Sequence, residues 1–330
     1  MFTEHSLHNH PALVKAFMGL PAEVFWVMVQ KVSEQLPAYD QQRLEREDRR
    51  RASGAGRECD QPVAIRVALV LTYLRLHVPQ EVVALLYGVT QPDVSRDLRR
   101  VLPVLQAVLP CPEVWQVLED DQTVNPEARL TLEQLAAGRV LVDATEQRVS
   151  RPQTSEKRKT YYSGKKKQFT LKTQFVTDSA HDIQAISEAV PGAVHDKKLS
   201  DHVHTLQHLP DGCEADADKG YQGLEAQVTL VTVVQAETGE QQTLPRLTVK
   251  TPFKKPRGED LTDDQQAFNA QLNAIRVRVE HCIGWAKNWA ILATRFRCAH
   301  SIYTSIMRTV CGLVNLQTRR WQAAQAANSA

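Results

Sequence analysis

The spacing of the apolar residues changes near Gly138 from a helical to a strand period, and this change restricts the possible folds. Upstream, apolar residues recur at helical spacing from Leu13 to Leu109. Downstream, strand patterns occupy 139–145, 169–177, 182–189, 214–218 and 248–252, with helical patterns at 195–209 and from 261 to 320. This order predicts an α/β sheet covered by helices, behind an all-α N-terminal domain.

The length of 330 residues predicts about two domains, because one domain usually holds roughly 100–200 residues. Residues 1–110 are the predicted helical domain. The acidic, proline-containing segment 111–138 is predicted to be a linker. Residues 139–320 are the predicted α/β domain, and 321–330 are a predicted tail.

The charge is nearly balanced, with 40 Lys and Arg against 38 Asp and Glu and a net charge of +2. This balance excludes a histone-like polycation but leaves nucleic-acid binding open, because local charge matters more than the sum. No apolar run approaches the ~18 residues of a membrane span, and no secretory signal is visible. The six cysteines are scattered without a C-x-x-C pair, which favours a cytosolic protein with reduced thiols.

Residues 81–105 have the pattern of a helix-turn-helix. A short helix at 81–87 is broken by Gly88, and Thr90 is a suitable N-cap for a second helix. The second helix is predicted to bury Val94 and Leu98 and to expose Ser95, Arg96, Arg99 and Arg100. An ordinary helical hairpin within a core remains an alternative interpretation.

Three acids stand out by their context, and all three are candidate catalytic residues and metal ligands. Asp143 interrupts an apolar strand, Asp218 ends a short strand before a Lys-Gly-Tyr turn, and Glu280 lies within a helix. Three carboxylates that meet above a sheet suffice for Mg²⁺, which prefers oxygen ligands. Each acid alone is also explained as a salt-bridged structural residue. Other acids compete for a metal-site role: Asp178, Asp196, Asp201 and Asp216.

The helix around Glu280 has one polar stripe. Arg276, Glu280 and Lys287 lie within about 40° of one face at 100° per residue. This stripe is predicted to present a metal ligand between two cations that bind phosphate. A solvated face with an i,i+4 ion pair is the alternative.

Positive charge is concentrated in two segments. Residues 148–172 contain nine basic side chains and one acid, with Tyr161 and Tyr162 among them. Residues 246–257 are basic without any acid. Such segments bind phosphates and stack on unpaired bases, although many charge runs serve only solubility. The predicted DNA-binding residues of these segments are Arg148, Lys165, Lys166, Lys167, Lys254 and Lys255.

Seven motifs occur in an order that resembles one known family. They are RRRASGAGRE, GVTQPDVSR, VDATEQRVSRP, YYSGKKKQFTLKTQ, PGAVHDKKL with its Gly-x-x-His-Asp element, ADKGYQG and RVRVEHCIGWAK. Over residues 45–315 the chain resembles the DDE transposases of bacterial insertion sequences, specifically the insertion-sequence-five group with an N-terminal helix-turn-helix. The run 231–245 departs from the family pattern and is expected to be a short hairpin.

The resemblance implies an RNase H-like mixed sheet in which Asp143, Asp218 and Glu280 bind two Mg²⁺ ions, with Mn²⁺ as a substitute. The family cuts at terminal inverted repeats, and the freed 3′ ends attack target DNA. A homodimer or larger assembly on double-stranded DNA is expected, in a bacterial cytoplasm and associated with the nucleoid. His195 and Asp196 are expected to contact DNA or to order a neighbouring loop.

Two alternatives remain at this stage. A DNA-binding protein derived from a transposase has no need of the three acids for catalysis. A zinc enzyme would use His202, His204 and His208, but no glutamate lies between them as in H-E-x-x-H.

Overall fold

The computed structural model describes residues 1–45, 61–119, 122–234 and 241–329. The predicted motif RRRASGAGRE lies outside these residues. The helices are α1 (Glu4–Asn9), α2 (Pro11–Met18), α3 (Ala22–Leu44), α4 (Val63–Leu76), α5 (Gln80–Tyr87), α6 (Gln91–Val108), α7 (Ser155–Tyr161), α8 (Asp196–His202), α9 (Thr205–His208), α10 (Asp263–Lys287), α11 (Ala290–Ala293) and α12 (Tyr303–Ser329). The strands are β1 (Glu113–Trp115), β2 (Arg139–Arg148), β3 (Tyr162–Ser163), β4 (Gln168–Asp178), β5 (Ile183–Ser187), β6 (Val190–Pro191), β7 (Glu214–Ala217), β8 (Leu230–Val234), β9 (Gln241–Pro245) and β10 (Thr248–Lys250).

The chain divides into two compact units. The helical unit comprises Met1–Cys111, Ala286–Thr294 and Ser305–Ala330, and the sheet unit comprises Pro112–Trp285 and Arg295–Thr304. Most of α12 therefore belongs with the N-terminal helices, whereas the sequence placed it in the α/β domain. Side-chain amides explain this: Asn315 donates to the Pro110 carbonyl at 3.0 Å, and Gln317 donates to the Gly19 carbonyl at 2.7 Å.

Two further predicted segments differ from the structure. The predicted linker 111–138 contributes β1, which pairs in parallel with β5 and so belongs to the sheet. The predicted tail 321–330 continues α12 as far as Ser329.

The predicted helix-turn-helix is present in the helical unit as α5 and α6. Gly88 ends α5 with φ +67°, a left-handed conformation that glycine adopts without strain. Thr90 precedes α6, and its N–H donates to Asp93 Oδ2 at 2.9 Å, which fixes the first turn. As predicted, α6 buries Val94 and Leu98 and exposes Arg96 and Arg99. Ser95 and Arg100, which were also predicted to be exposed, are half-buried, the latter because it forms an ion pair with Asp40 of α3 at 2.6 Å. Arg96 and Arg99 therefore point away from the core of the unit.

The sheet unit has the RNase H-like arrangement that the resemblance implies. Its strand order is β1-β5-β4-β2-β7-β10, so β2, the first long strand, lies in the middle. β4 runs antiparallel to β2 and to β5. β7 runs parallel to both β2 and β10. The result is a mixed sheet that contains both antiparallel and parallel pairs.

One face of this sheet packs on α8 and α9. Val140, Val142, Ala215 and Ala217 contribute to a buried apolar cluster that also contains Leu199 and other apolar residues of the two helices. Side chains alternate between the faces of a strand, so the intervening residues of β2 and β7 point to the opposite face. That opposite face contains the candidate acids.

Residues 231–245, which depart from the family pattern, form a hairpin as far as the structure describes them. β8 and β9 pair antiparallel from Leu230 opposite Pro245 to Val234 opposite Gln241, as a sheet of their own.

Among the described residues, no single helix is long and apolar enough to cross a membrane, and the pair α2 and α3 reaches that length only across a 75° bend.

Gly192→Ala is expected to destabilise the sheet unit. Gly192 donates its N–H to the Thr170 carbonyl at 2.9 Å, and a Cβ there would lie 1.8 Å from Thr170 Oγ1. Overpacking of this kind costs about 1–3 kcal/mol of unfolding free energy, measurable by urea denaturation. Gly164→Ala is the control, because a Cβ at Gly164 meets nothing within 4 Å. Equal stability of the two variants would contradict the close contact.

Candidate active site

The register between β2 and β7 places Asp143 beside Asp218. The parallel pairing ends with Val142 opposite Ala217, and the two aspartates are the next residue on each chain. Val142 and Ala217 point into the buried cluster. Both aspartates therefore lie on the other face, at the same level of the sheet.

Arg276 of α10 lies between the two carboxylates. Its Nη2 is 3.6 Å from Asp143 Oδ2, and its Nη1 is 3.3 Å from Asp218 Oδ1. The residue is only 4% exposed. A buried guanidinium needs paired carboxylates, and two nearby carboxylates need a positive charge between them. Arg276 therefore holds the aspartates together by opposing their mutual repulsion.

Burial raises the pKa of Asp143 to about 6. The loss of hydration is the largest cause, and the negative charges of Asp218 and Asp196 act in the same direction. The Ala144 N–H, which donates to Asp143 Oδ1 at 2.7 Å, and the Arg276 charge lower the pKa but do not compensate. The Asp143 carboxylate is therefore a poorly hydrated anion at neutral pH.

This raised pKa predicts a pH-dependent stability. The unfolded chain restores the ordinary pKa of 3.8, so the stabilisation by the proton on Asp143 is complete below about pH 4 and is lost as the pH rises through 6. Asp143→Asn cannot ionise. Its unfolding free energy relative to wild type should therefore increase by about 2.4 kcal/mol between pH 4 and pH 7. Urea denaturation at both pH values measures this change, and a pH-independent difference would contradict it.

Asp196 and Tyr221 also face the aspartate pair. The Asp196 side chain is 16% exposed and accepts a 2.6 Å hydrogen bond from Lys172 Nζ. Tyr221 is fully buried, and burial together with the surrounding carboxylates raises its pKa well above 10. Tyr221 is therefore a neutral phenol at the base of the site. From the sequence we assigned Asp196 only a secondary role, and Tyr221 was not predicted to be a site residue.

Glu280, the third predicted acid, is exposed on α10. It follows Arg276 by four residues, about 40° around the helix, so both project from one side of α10. Among the described residues, no three His, Cys, Asp or Glu side chains are grouped so as to hold a metal ion. The metal triad therefore stays a prediction, with two of its acids adjacent.

The aspartate pair fits a hard divalent cation by its donor chemistry. Carboxylate oxygens are the ligands that Mg²⁺ prefers, and Glu280 provides another carboxylate on the helix that bears Arg276. The buried guanidinium of Arg276 marks the space between Asp143 and Asp218 as one that accommodates positive charge. A metal ion at this place would take over the role of Arg276 as counter-charge.

The predicted DNA-binding residues differ in their exposure. Ser95 and Lys287 are half-buried, and Arg276 is buried between the aspartates. Arg96 is exposed but forms an ion pair with Asp93 at 2.5 Å. Lys172, counted in the basic segment, is buried in ion pairs and is therefore no part of a DNA-binding surface. The other predicted residues are exposed: Arg99, Arg148, Lys165, Lys166, Lys167, Lys254 and Lys255.

Most of the competing acids have structural partners. Asp178 accepts hydrogen bonds from the N–H groups of Ala180 and Asp182 within one turn, at 2.8 and 2.9 Å. Asp201 forms an ion pair with Lys197 at 2.8 Å. These contacts explain both acids by local structure.

Asp216 lies on β7 two residues before Asp218, and the histidines of the zinc hypothesis lie in or next to α8 and α9. Asp216 is fully buried 3.6 Å from Arg139, and burial raises its pKa. His208 stacks on Trp115 with ring centroids 4.3 Å apart. Burial lowers the pKa of His208 to about 4. The stacked, buried ring of His208 has a packing role.

Comparison with protein-family models identifies the class of the protein. The model described as DDE superfamily endonuclease matches residues 142–315, which is more than half of the chain. The model described as helix-turn-helix of DDE superfamily endonuclease matches residues 63–111, which include α4, α5 and α6. The chain belongs to the DDE endonuclease superfamily.

One curated relative makes the comparison more specific. The chain is similar to a probable transposase for insertion sequence element IS702 from Microchaete diplosiphon, with 29% identity over 180 residues. The match covers 54% of this chain and 56% of the relative, so the chain spans about half the length of the relative it matches. No solved protein structure gives a significant match.

Proposed function

We propose that the protein is a transposase that cuts DNA at terminal inverted repeats and joins the 3′ ends to target DNA. The observation that supports this most is the adjacency of Asp143, which lies within β2, and Asp218, which directly follows β7, at the point where the parallel pairing of the two strands ends, in a chain of the DDE endonuclease superfamily. The similarity to a probable transposase supports the same conclusion.

Asp143, Asp218 and Glu280 are the proposed ligands of two Mg²⁺ ions, for which Mn²⁺ can substitute. When bound, such ions lower the pKa of a hydroxyl nucleophile and stabilise charge on the phosphate. Arg276, once released from the aspartates, and Lys287 on the same helix would bind the scissile phosphate. Tyr221 is fully buried near the two aspartates.

The exposed cations supply the proposed DNA contacts. Arg99 and Arg96 on α6 lie on the helix that enters the major groove in helix-turn-helix proteins. Lys165, Lys166 and Lys167 form an exposed basic turn in the sheet unit and would bind phosphates without sequence preference. We further propose that a homodimer or larger assembly binds the two ends of the element on the bacterial nucleoid.

An end-cleavage assay tests the proposal. DNA that flanks the gene is searched for inverted repeats, and a labelled fragment with one repeat is incubated with the protein and Mg²⁺. The expected products are a nick at the repeat end and, with added plasmid, a joined strand. A fragment with a scrambled repeat should remain uncut. Binding without any cleavage in Mg²⁺ or Mn²⁺ would contradict the proposal.

That outcome would favour the second candidate, a non-catalytic DNA-binding protein derived from a transposase. The ion pairs of Arg276 with Asp143 and Asp218 support this candidate, because they give both acids a structural role without any metal. Under this hypothesis the repeat is still bound through α6.

A further inference from the structure

The Gly-x-x-His-Asp element brings Asp196 against the turn that bears Asp218. Asp196 is the first residue of α8, and Asp218, Gly220 and Tyr221 belong to the tight turn after β7. The turn is closed by the Tyr221 N–H, which donates to the Asp218 carbonyl at 2.9 Å. The side chain of Asp196 thus borders the segment that determines where the Asp218 carboxylate lies.

The contact between Asp196 and the turn is made at Gly220. A Cβ on Gly220 would lie 2.6 Å from Asp196 Oδ2 and 3.2 Å from Asp196 Cβ. A distance of 2.6 Å is well inside van der Waals contact, so only glycine permits this approach. The backbone of the turn therefore rests directly on the carboxylate.

Asp196 is itself held in place by a buried ionic network. Lys172 Nζ donates to Asp196 Oδ1 and to the Val194 carbonyl, both at 2.6 Å. The same ammonium is 3.7 Å from Glu146 Oε1, and Glu146 Oε2 accepts a 2.7 Å hydrogen bond from Thr170 Oγ1. The Lys172 and Glu146 side chains are only 7% and 6% exposed. Because the charges are buried and mutually paired, Asp196 has little freedom to move.

We propose that Asp196 is a positioning residue, which acts through its contact with Gly220 to fix the Asp218 turn relative to Asp143. This inference rests on the proposed function, because it assigns Asp196 a part in the same reaction. It assigns no metal ligation to Asp196. The Oδ1 atom is engaged by Lys172, and the Oδ2 atom faces the backbone of Gly220.

A double-mutant cycle tests the contact in the full-length protein. Gly220→Ala should displace the turn and lower the rate of end cleavage by about 100-fold, since a misplacement of about 1 Å has an effect of this size. In the background of Asp196→Ala, which removes Oδ2, Gly220→Ala should reduce the rate by less than about tenfold. Equal reductions in the two backgrounds would show that the residues act independently and would overturn the proposal.

Asp196→Asn distinguishes positioning from metal ligation. Asparagine retains the shape of the side chain and an oxygen that accepts from Lys172, so cleavage should stay within about tenfold of wild type. Binding of Mn²⁺, followed by electron paramagnetic resonance, should also persist. Loss of Mn²⁺ binding and of cleavage to the extent expected for Asp143→Asn would overturn the positioning role.

A third readout does not depend on cleavage. Gly220→Ala should lower the unfolding free energy more in the wild-type background than in the Asp196→Ala background, because Asp196→Ala removes the 2.6 Å conflict with Oδ2 and leaves only the weaker one with Cβ at 3.2 Å. Additive changes would overturn the inferred contact. If the wild type neither cleaves DNA nor binds Mn²⁺ while this coupling is present, the proposed function fails and the contact between Asp196 and Gly220 stands.

Discussion

Asp143→Asn is expected to abolish cleavage at the repeat end while DNA binding is retained. The substitution removes a carboxylate oxygen from the proposed metal site but keeps the side-chain volume. Several kcal/mol of transition-state stabilisation depend on the metal ions, which corresponds to a rate loss of at least about 10³-fold. A single-turnover nicking assay in Mg²⁺ measures the rate, and a gel-shift assay with the same fragment measures binding.

Asp264→Asn is the matched control for this experiment. Asp264 is an exposed acid in the first turn of α10, far along the helix from Arg276. Its replacement makes the same chemical change without touching the aspartate pair, so nicking should be unchanged. Nicking by Asp143→Asn at the wild-type rate would remove the basis for assigning Asp143 to catalysis.

The second large effect is expected for Arg276→Met, whose fold should become dependent on divalent ions. Methionine removes the positive charge that lies between Asp143 and Asp218, and the two carboxylates are then left without a counter-ion. Breaking a buried ion pair by removal of one partner costs about 3–5 kcal/mol. A divalent cation that binds the vacated space should restore much of this loss. The melting temperature in EDTA and in millimolar Mg²⁺ or Mn²⁺ tests the expectation.

Arg66→Met is the control for the metal effect. Arg66 is as buried as Arg276 and pairs with the single carboxylate of Asp97 at 2.8 Å. This variant should lose comparable stability, but without a pair of facing carboxylates it should not recover when metal is added. An Arg276→Met protein as stable as wild type in EDTA would refute the bridging role. Equal recovery of both variants would indicate a general effect of salt.

Local sequence signals were sufficient to predict the main elements. Gly88 and Thr90 fix the turn and the start of α6 through their own backbone preferences, so the helix-turn-helix was predictable from a short window. The alternating pattern around the two acids placed Asp143 within a strand and Asp218 at the end of one. Their adjacency follows from the parallel pairing of β2 and β7, which the resemblance to DDE transposases supplied and which spacing alone does not determine.

The parts that were missed depend on contacts between distant segments. β1 has only three residues, too few for an alternating pattern to be recognised within an acidic segment. The buried state of Lys172 and the contact of Asp196 with Gly220 arise only when β4, α8 and the Asp218 turn pack together. The helical state of residues 321–329, which were predicted to be a tail, could have been inferred from their many alanines, because alanine has the highest helix propensity.

The participation of α12 in the helical unit affects how a nascent chain can mature. Roughly 190 residues separate Cys111 from Ser305, and at about 5–20 residues per second the ribosome needs roughly 10–40 s to add them. Until then the core around α2, α3 and α6 lacks its final helix. The core of the helical unit is therefore completed only after the whole sheet unit has been translated.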